Sequence, residues 1–431
     1  MRVGEKLPSI RELAQQFNVH RNTVYLALND LVAEGLLCSL PKKGFYVDPS
    51  IVEYYQLKQK KIVSHKRGTA KSRLFYDLRS GTADLRNFDL NAFKHNFNHA
   101  ITKMTHRDFE YGFTAGHPKL IAVLNSYLWQ MRDIQQPDLL ITNGSQEALY
   151  LLCQLLIRPS DTIALPALTY PAMKMLALQH NANIISIKLD AQGLEIDDLE
   201  KKLQQYRIRF LYITPHNQYP TTVTLPLSRR LKLLSLAKKY DFFIIEDDYA
   251  HEFSFAATPP TLASMDRQQR VCYVSSFSKI LLPSMRVGFV SLPKNLYKPC
   301  LHLKNLISRQ NEVLTQLTLA EMIHSGYFEQ YLRRLRKIIK YRRTFLVSKL
   351  QSLAEIEFKV PQVGLVFWLQ TGRLTKFIIN NAERHGILIE TEHSYSVKKI
   401  NKAARFIRLG FAKYDEHELS YLFDKLFTIL N

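Results

Sequence analysis

The chain has 431 residues, 46% of them hydrophobic and 23% charged, a composition ordinary for a globular protein of two or three domains. Lysine and arginine number 59 against 38 acidic residues, giving a formal charge of +21 and a pI near 9.6, a surplus suited to a protein that approaches a polyanion. No apolar run reaches the ~18 residues needed to cross a bilayer, and the first residues lack a secretory signal, so no membrane partner is expected. Cys38, Cys153, Cys272 and Cys300 form no C-x-x-C pair. Free thiols in a reducing cytoplasm are expected, with no metal site.

Residues 1–48 read as a small helical module. Ser9 and Glu12 fit a capping box, and Ile10, Leu13, Ala14 and Phe17 then fall on one helix face. Asn18-Val19-His20 makes a turn, and a second helix from about Arg21 buries Val24, Leu28, Leu31 and Val32 before stopping at Gly35. Arg21, Asn22, Thr23 and Tyr25 are exposed near its start, the place from which a recognition helix reads the major groove. Leu36–Leu40 and Phe45–Val47, joined through Pro41-Lys42-Lys43-Gly44, look like a two-stranded wing. The strings L-P-S-x-R-E-L, V-x-R-N-T-V, A-x-x-x-L and E-G-L-L closely resemble the GntR-type winged helix-turn-helix. That resemblance implies DNA contacts from Arg11, Arg21, Asn22, Thr23, Lys43 and Gly44. The family carries a further helix before L-P-S, so an N-terminally shortened head with part of its core exposed is expected. Lys42-Lys43-Gly44 stands where the family tends to have two glycines.

Residues 49–73 read as a basic linker, with Lys58, Lys60, Lys61, Lys66, Arg67, Lys71 and Arg73 and no acid between Lys58 and Arg73. Its length would let the heads of a dimer adjust to two half-sites.

From 74 to 431, strand and helix patterns alternate as in a doubly wound, mainly parallel sheet, followed by a smaller α+β part; the fold class is α/β. Four strand ends carry chemistry. Leu139–Thr142 runs into Asn143-Gly144-Ser145-Gln146 and a helix, a cradle of free backbone N–H groups for a phosphate. Ile163–Pro166 leads to Tyr170, placed to cover a ring face. Phe242–Ile245 delivers Glu246-Asp247-Asp248-Tyr249 to the carboxyl edge of the sheet, where such folds bind ligands. Arg270–Val274 delivers Ser275-Ser276-Phe277-Ser278-Lys279, with Arg286 seven residues on. S-x-x-K alone is a weak signal. Together, however, a lysine for an aldehyde, an aspartate for a ring nitrogen and hydroxyls plus arginine for a phosphate are what pyridoxal 5'-phosphate needs.

In order along some 350 residues stand Gly81-Thr82-Ala83-Asp84, Tyr111–Gly116, Asn143–Leu149, Thr214–Thr221, Glu246–Tyr249, Phe277–Phe289 and Ile407–Ala412. This set resembles a fold type I aminotransferase, and most closely the effector domain of the MocR subfamily of GntR-type regulators. The resemblance implies Lys279 as the Schiff-base lysine and Asp247 as partner of the pyridine nitrogen. It also implies Arg408 as the grip on a ligand carboxylate, and a homodimer in which Tyr111 reaches the phosphate of the neighbouring subunit. Tyr249 is expected at the ring's phenolic oxygen, helped by Asn217 or Gln218. The basic helix Tyr327–Leu350 is expected to be a solvated bridge between the large and small domains.

Two departures weaken the enzyme side of the resemblance. Pro220-Thr221-Thr222 replaces P-T-G, and Tyr219 takes the place before Pro220 where aminotransferases often have asparagine. The leading expectation is a PLP-binding transcription regulator that senses an amino compound or PLP itself. The alternative is a working aminotransferase with a vestigial head.

Overall fold

Ser9 and Glu12 do cap one another: Ser9 Oγ accepts from Glu12 N at 3.3 Å, and Glu12 Oε2 accepts from Ser9 N at 2.7 Å. They open α1 (Ile10–Gln16), which is followed by α2 (Arg21–Ala33), β1 (Leu37–Leu40) and β2 (Gly44–Val47). The chain is described by a computed structural model over residues 3–49, 76–135, 137–353, 356–372, 375–399 and 404–430, with side chains to 426. It divides into two units, Met1–Arg73 and Leu74–Asn431. In the first, β1 and β2 pair antiparallel, Leu37 opposite Val47, and Ala14, Val24, Leu28, Leu37 and Phe45 form the core. Phe17 and Leu26 stay exposed on its surface. Lys42 adopts φ +61 in the wing turn, so a lysine takes the left-handed conformation that a glycine would adopt without strain. Apart from Pro49, the basic linker lies outside the described residues.

The second unit is built on a seven-stranded sheet. Its strands are β4 (Asp138–Thr142), β5 (Thr162–Pro166), β6 (Asn183–Ile187), β7 (Ile208–Ile213), β8 (Phe243–Asp247), β9 (Val271–Ser276) and β10 (Gly288–Leu292). The order across the sheet is β4-β10-β9-β8-β7-β5-β6. β10 runs antiparallel to both neighbours, and the other pairs are parallel. Parallel strands buried on both faces explain the near-continuous apolar runs noted in the sequence.

Helices cover the sheet, among them α3 (Leu90–Thr102), α4 (Pro118–Arg132), α5 (Ser145–Leu156) and α6 (Pro171–Gln179). After the sheet come α7 (Lys294–Ile307), α8 (Val313–His324) and the 25-residue α9 (Tyr327–Gln351). A smaller antiparallel sheet follows, ordered Ile356–Phe358, β11 (Val366–Thr371), β13 (Phe406–Gly410) and β12 (Glu390–Thr391). Among the described residues, no helix is long and apolar enough to cross a membrane.

The long helix α9 keeps Arg333, Arg334, Lys337 and Lys340 exposed, as expected of a solvated face, but three of its arginines turn inward. Arg342 is buried, donating to Asp84 Oδ2 at 2.9 Å and to Ala412 O at 2.7 Å, and Arg343 donates to Pro361 O at 2.9 Å. Arg336 donates to Glu252 O. These arginines fasten surrounding loops to the helix, because their long stems reach carbonyls that would otherwise lack a donor.

Candidate cofactor and ligand site

The four strand-end motifs converge. A cavity of about 300 Å³ is lined by Ser145 and Gln146 from the start of α5, Tyr170 from the start of α6, Asp247 and Tyr249 from the end of β8, and Ser276, Ser278, Lys279 and Arg286 beyond β9. Arg408 of β13 closes it from the small sheet. All these were expected. Tyr212, Tyr219 and the segment Arg79–Gly81 complete the wall.

At one end, α5 begins directly after Gly144, whose φ of +79 lets the chain turn sharply there. Gly288, at the start of β10, packs against this turn so closely that a Cβ would lie 2.6 Å from the carbonyl carbon of Gly144. Arg286 crosses the same turn, donating to Asn143 O at 2.7 Å. Hydroxyls, a guanidinium and a helix N-terminus thus gather where negative charge is stabilised. Gly144 itself supports this end through its backbone and is not part of the cavity wall.

At the other end, Asp247 is 5% exposed. Its Oδ2 accepts from Tyr212 Oη at 2.8 Å, while Oδ1 is buried without a hydrogen-bond partner. Burial pushes this carboxyl up to about 7. Lys279 stands in the same cavity; burial, with help from the Arg408 charge, brings its amine down to about 8. Behind Asp247, the neighbouring Asp248 accepts from Tyr273 Oη at 2.7 Å and faces His251 Nδ1 at 3.0 Å. Burial opposes its charge, yet the imidazoles of His251 and His216 hold Asp248 well below the usual carboxylate range. Burial also drives His216 down to about 3.

Tyr219 organises the mouth. Its ring lies 5.5 Å from Tyr170, 6.0 Å from Tyr249 and 5.4 Å from Tyr395, centroid to centroid, all edge-on. The Arg408 guanidinium carbon sits 4.7 Å above the same ring, a cation–π contact. Arg408 is 3% exposed, donates through Nη1 to Arg79 O, and leaves Nε without a partner. Thr222 takes φ +62, so the turn still needs the conformation for which glycine is usual.

Asn217 and Gln218 lie off the cavity wall. Asn217 Nδ2 donates to Tyr249 Oη at 2.9 Å, and Tyr249 Oη in turn donates to Asn217 O at 3.0 Å. The Oδ1 of Asn217 is buried without a hydrogen-bond partner. Gln218 likewise turns away, donating to Tyr219 O at 3.1 Å. Tyr111 lies outside its own chain's cavity, 72% exposed, with the Arg309 guanidinium 4.3 Å from its ring centroid. In the first unit, Arg11, Arg21, Asn22, Thr23, Lys43 and Gly44 are all exposed, on α1, the start of α2 and the wing.

Sequence reasoning missed Tyr212 and Arg79. Tyr212 follows Phe210 and Leu211 in β7, where a lone hydroxyl in a buried apolar stretch reads as core.

Residues 76–426 match the family model "Aminotransferase class I and II", and residues 1–47 match "Bacterial regulatory proteins, gntR family". The uncharacterized HTH-type transcriptional regulator YdeL of Bacillus subtilis is 28% identical over 426 residues, covering 96% of this chain and 90% of the relative. The probable rhizopine catabolism regulatory protein MocR of Rhizobium meliloti is 26% identical, over 81% and 73% of the two chains. Among solved structures, Pyrococcus horikoshii kynurenine aminotransferase in complex with PMP superposes with a TM-score of 0.78 at 25% identity, over 88% of this chain and 94% of that one. The chain belongs to the class I and II aminotransferase family and, through the gntR-family head joined to that fold, to the MocR subfamily of transcriptional regulators.

Proposed function

We propose that this regulator holds pyridoxal 5'-phosphate in the cavity around Lys279 and responds there to an amino compound, or to the cofactor itself, by changing how its heads engage DNA. The carrying observation is the set of unsatisfied groups: Asp247 Oδ1 and Arg408 Nε are both buried without partners, on a cavity they share with Lys279. Buried polar atoms without partners are costly, so their persistence at one cavity supports a bound molecule that pairs them. When bound, the cofactor supplies an aldehyde that takes up amines and a ring that draws electrons.

The protein's residues divide that work. Ser145, Ser276, Ser278 and Arg286, with the α5 N-terminus, take the phosphate. Asp247 Oδ1 would accept a hydrogen bond from the protonated ring nitrogen and keep it charged, and Tyr212 holds the other carboxylate oxygen so that the first stays aimed. Tyr170 covers the ring face, and Tyr249, braced by Asn217, serves its phenolic oxygen. Lys279, its amine brought down to about 8, has an accessible lone pair near neutral pH. Gly144 and Gln146 shape the cradle. Arg408 receives the carboxylate of an amino ligand, and Tyr219 keeps its guanidinium flat against the wall.

Arg408 belongs to the small sheet, whereas Asp247 ends a strand of the large one and Lys279 lies just beyond the end of another. A ligand that engages both sides ties the sheets together, and only such differential binding can shift a conformational equilibrium. Residues 1–48 are the DNA reader, 49–73 the tether and 74–431 the sensor. Two chains pair, Tyr111 of each serving the phosphate held by the other, so the heads meet two half-sites.

A gel-shift of the full chain on its own upstream region tests this. Sequence-preferring binding that changes when pyridoxal phosphate and an amino compound are added supports the reading. Binding that ignores both, with wild-type chain and Lys279→Ala alike, refutes it.

A further inference from the structure

Resting on that reading, we infer that the amino ligand is a monocarboxylate, and that Asp77 determines this specificity by withholding Arg79 from the cavity. Four cationic side chains belong to residues of the cavity wall: Arg79, Lys279, Arg286 and Arg408. Lys279 is committed to the reacting end. Arg286 is turned onto Asn143 O and the Gly144 turn. That leaves two arginines at the mouth.

Arg79 is already claimed. Its Nε donates to Asp77 Oδ1 at 2.9 Å and its Nη2 to Asp77 Oδ2 at 3.0 Å, a bidentate pair. The same Asp77 Oδ1 accepts from Arg79 N at 3.0 Å, and the Asp77 backbone N–H donates to Tyr414 Oη at 2.6 Å, which fixes the backbone beneath the pair. The hydrogen bonds from Arg79 hold the Asp77 carboxyl below its ordinary range. Only the Arg79 carbonyl serves the site, as acceptor for Arg408 Nη1. One guanidinium therefore remains for one carboxylate.

The surroundings reinforce the limit. Tyr170, Tyr219 and Tyr249 present rings and hydroxyls and no positive charge. Glu390 stands opposite Arg408 in the small sheet and accepts from Tyr395 Oη at 2.5 Å, which adds negative charge beside the clamp. A second carboxylate entering here loses its hydration and finds no cation, and a desolvated, unpaired charge is what such sites reject.

The test uses the full chain loaded with pyridoxal phosphate, titrated with L-alanine, L-phenylalanine, L-aspartate and L-glutamate. Binding is followed by the visible absorbance of the loaded protein and by its melting temperature. Monocarboxylates are expected to bind at least ~10-fold more tightly than dicarboxylates, the lower end of the cost of leaving a buried group unpaired. Asp77→Asn frees Arg79 and raises the glutamate-to-alanine affinity ratio by about 10-fold, and adding Arg79→Gln returns the ratio to its starting value. Retained visible absorbance and melting temperature show that each variant is folded and loaded. Wild type that favours dicarboxylates, or a ratio that Asp77→Asn does not move, overturns the inference and leaves the ligand-sensing reading standing. A loaded protein that takes up none of the four overturns the inference and leaves only the cofactor-sensing form of that reading.

Discussion

The Tyr212 hydroxyl donates to Asp247 Oδ2 at 2.8 Å and leaves Oδ1 of the same carboxylate buried and unpaired, so one oxygen is fixed by the protein and the other awaits a donor. Tyr212 lies on β7 and Asp247 on β8, paired in parallel, with Glu246 opposite Ile213. The phenol is thus a positioning group set by sheet register. Tyr212→Phe is expected to weaken retention of pyridoxal phosphate by about 10-fold, the cost of one hydrogen bond to a charged group. Equilibrium dialysis of the cofactor measures it, and an unchanged affinity would show that Asp247 needs no such support.

Lys279 offers a second check. Its ordinary value of 10.5 is lowered to about 8 by burial and by Arg408. A base with a depressed value reacts as the free amine once the pH exceeds that value. Trapping of Lys279 by an aldehyde and a hydride reagent, quantified by peptide mass spectrometry, is expected to rise with a midpoint near 8. Arg408→Gln removes a nearby positive charge and shifts that midpoint upward. A midpoint above about 10, where unperturbed lysines titrate, contradicts the placement.

Stability should depend on pH in a defined direction. Burial raises Asp247 from 3.8 and Glu246 from 4.5, each to about 7. For an acid raised on folding, the stabilisation is complete below its unfolded value and is lost as pH rises through its folded one. Chain without cofactor therefore loses stability between about pH 4 and pH 8 on account of these two groups. Loading supplies Asp247 with a proton donor, so the melting-temperature gain on loading widens across that interval. Asp247→Asn is expected to remove most of the widening, and a gain independent of pH in wild type would be the contrary result.

At the mouth, Arg408→Ala is expected to lower affinity for any amino monocarboxylate by ~10–100-fold while the phosphate end remains intact. The readout is ligand-induced change in visible absorbance of the loaded chain. Equal affinity in the variant would move the carboxylate elsewhere in the cavity.

For the head, Arg21→Ala is expected to reduce operator affinity and to lessen the dependence of log K on log salt by about one. Fluorescence anisotropy at several salt concentrations gives both numbers. A loss of affinity with no change in slope would make Arg21 a base reader instead of a phosphate contact.

The sequence made most of this site legible because its chemistry sits at strand ends, where a short apolar run announces the strand and the next polar residues face the crevice. Asp247, Lys279, Ser276, Ser278 and Arg286 were readable for that reason. Tyr212 was not, since it sits in the buried stretch Phe210–Ile213, where no polar neighbour reveals which way its hydroxyl points. Arg79 was missed because it reaches the cavity through a loop far upstream in sequence; the segment Tyr76–Asp77 is anchored by Ile387–Leu388, some 300 residues away. The turned-in arginines of α9 were hidden for the opposite reason. A charged residue on an amphipathic helix reads as solvated until the carbonyls it meets are known.

The close approach of Gly288 to Gly144 has an evolutionary reading. A side chain at Gly288 would strike the Gly144 backbone, some 140 residues away in sequence, and one at Gly144 would strike the Arg286 guanidinium. Drift toward new signals is thereby channelled away from the phosphate end and into the tyrosines and the Asp77–Arg79 ledge at the rim. A lineage of such regulators can change what it hears without rebuilding the part that holds the instrument.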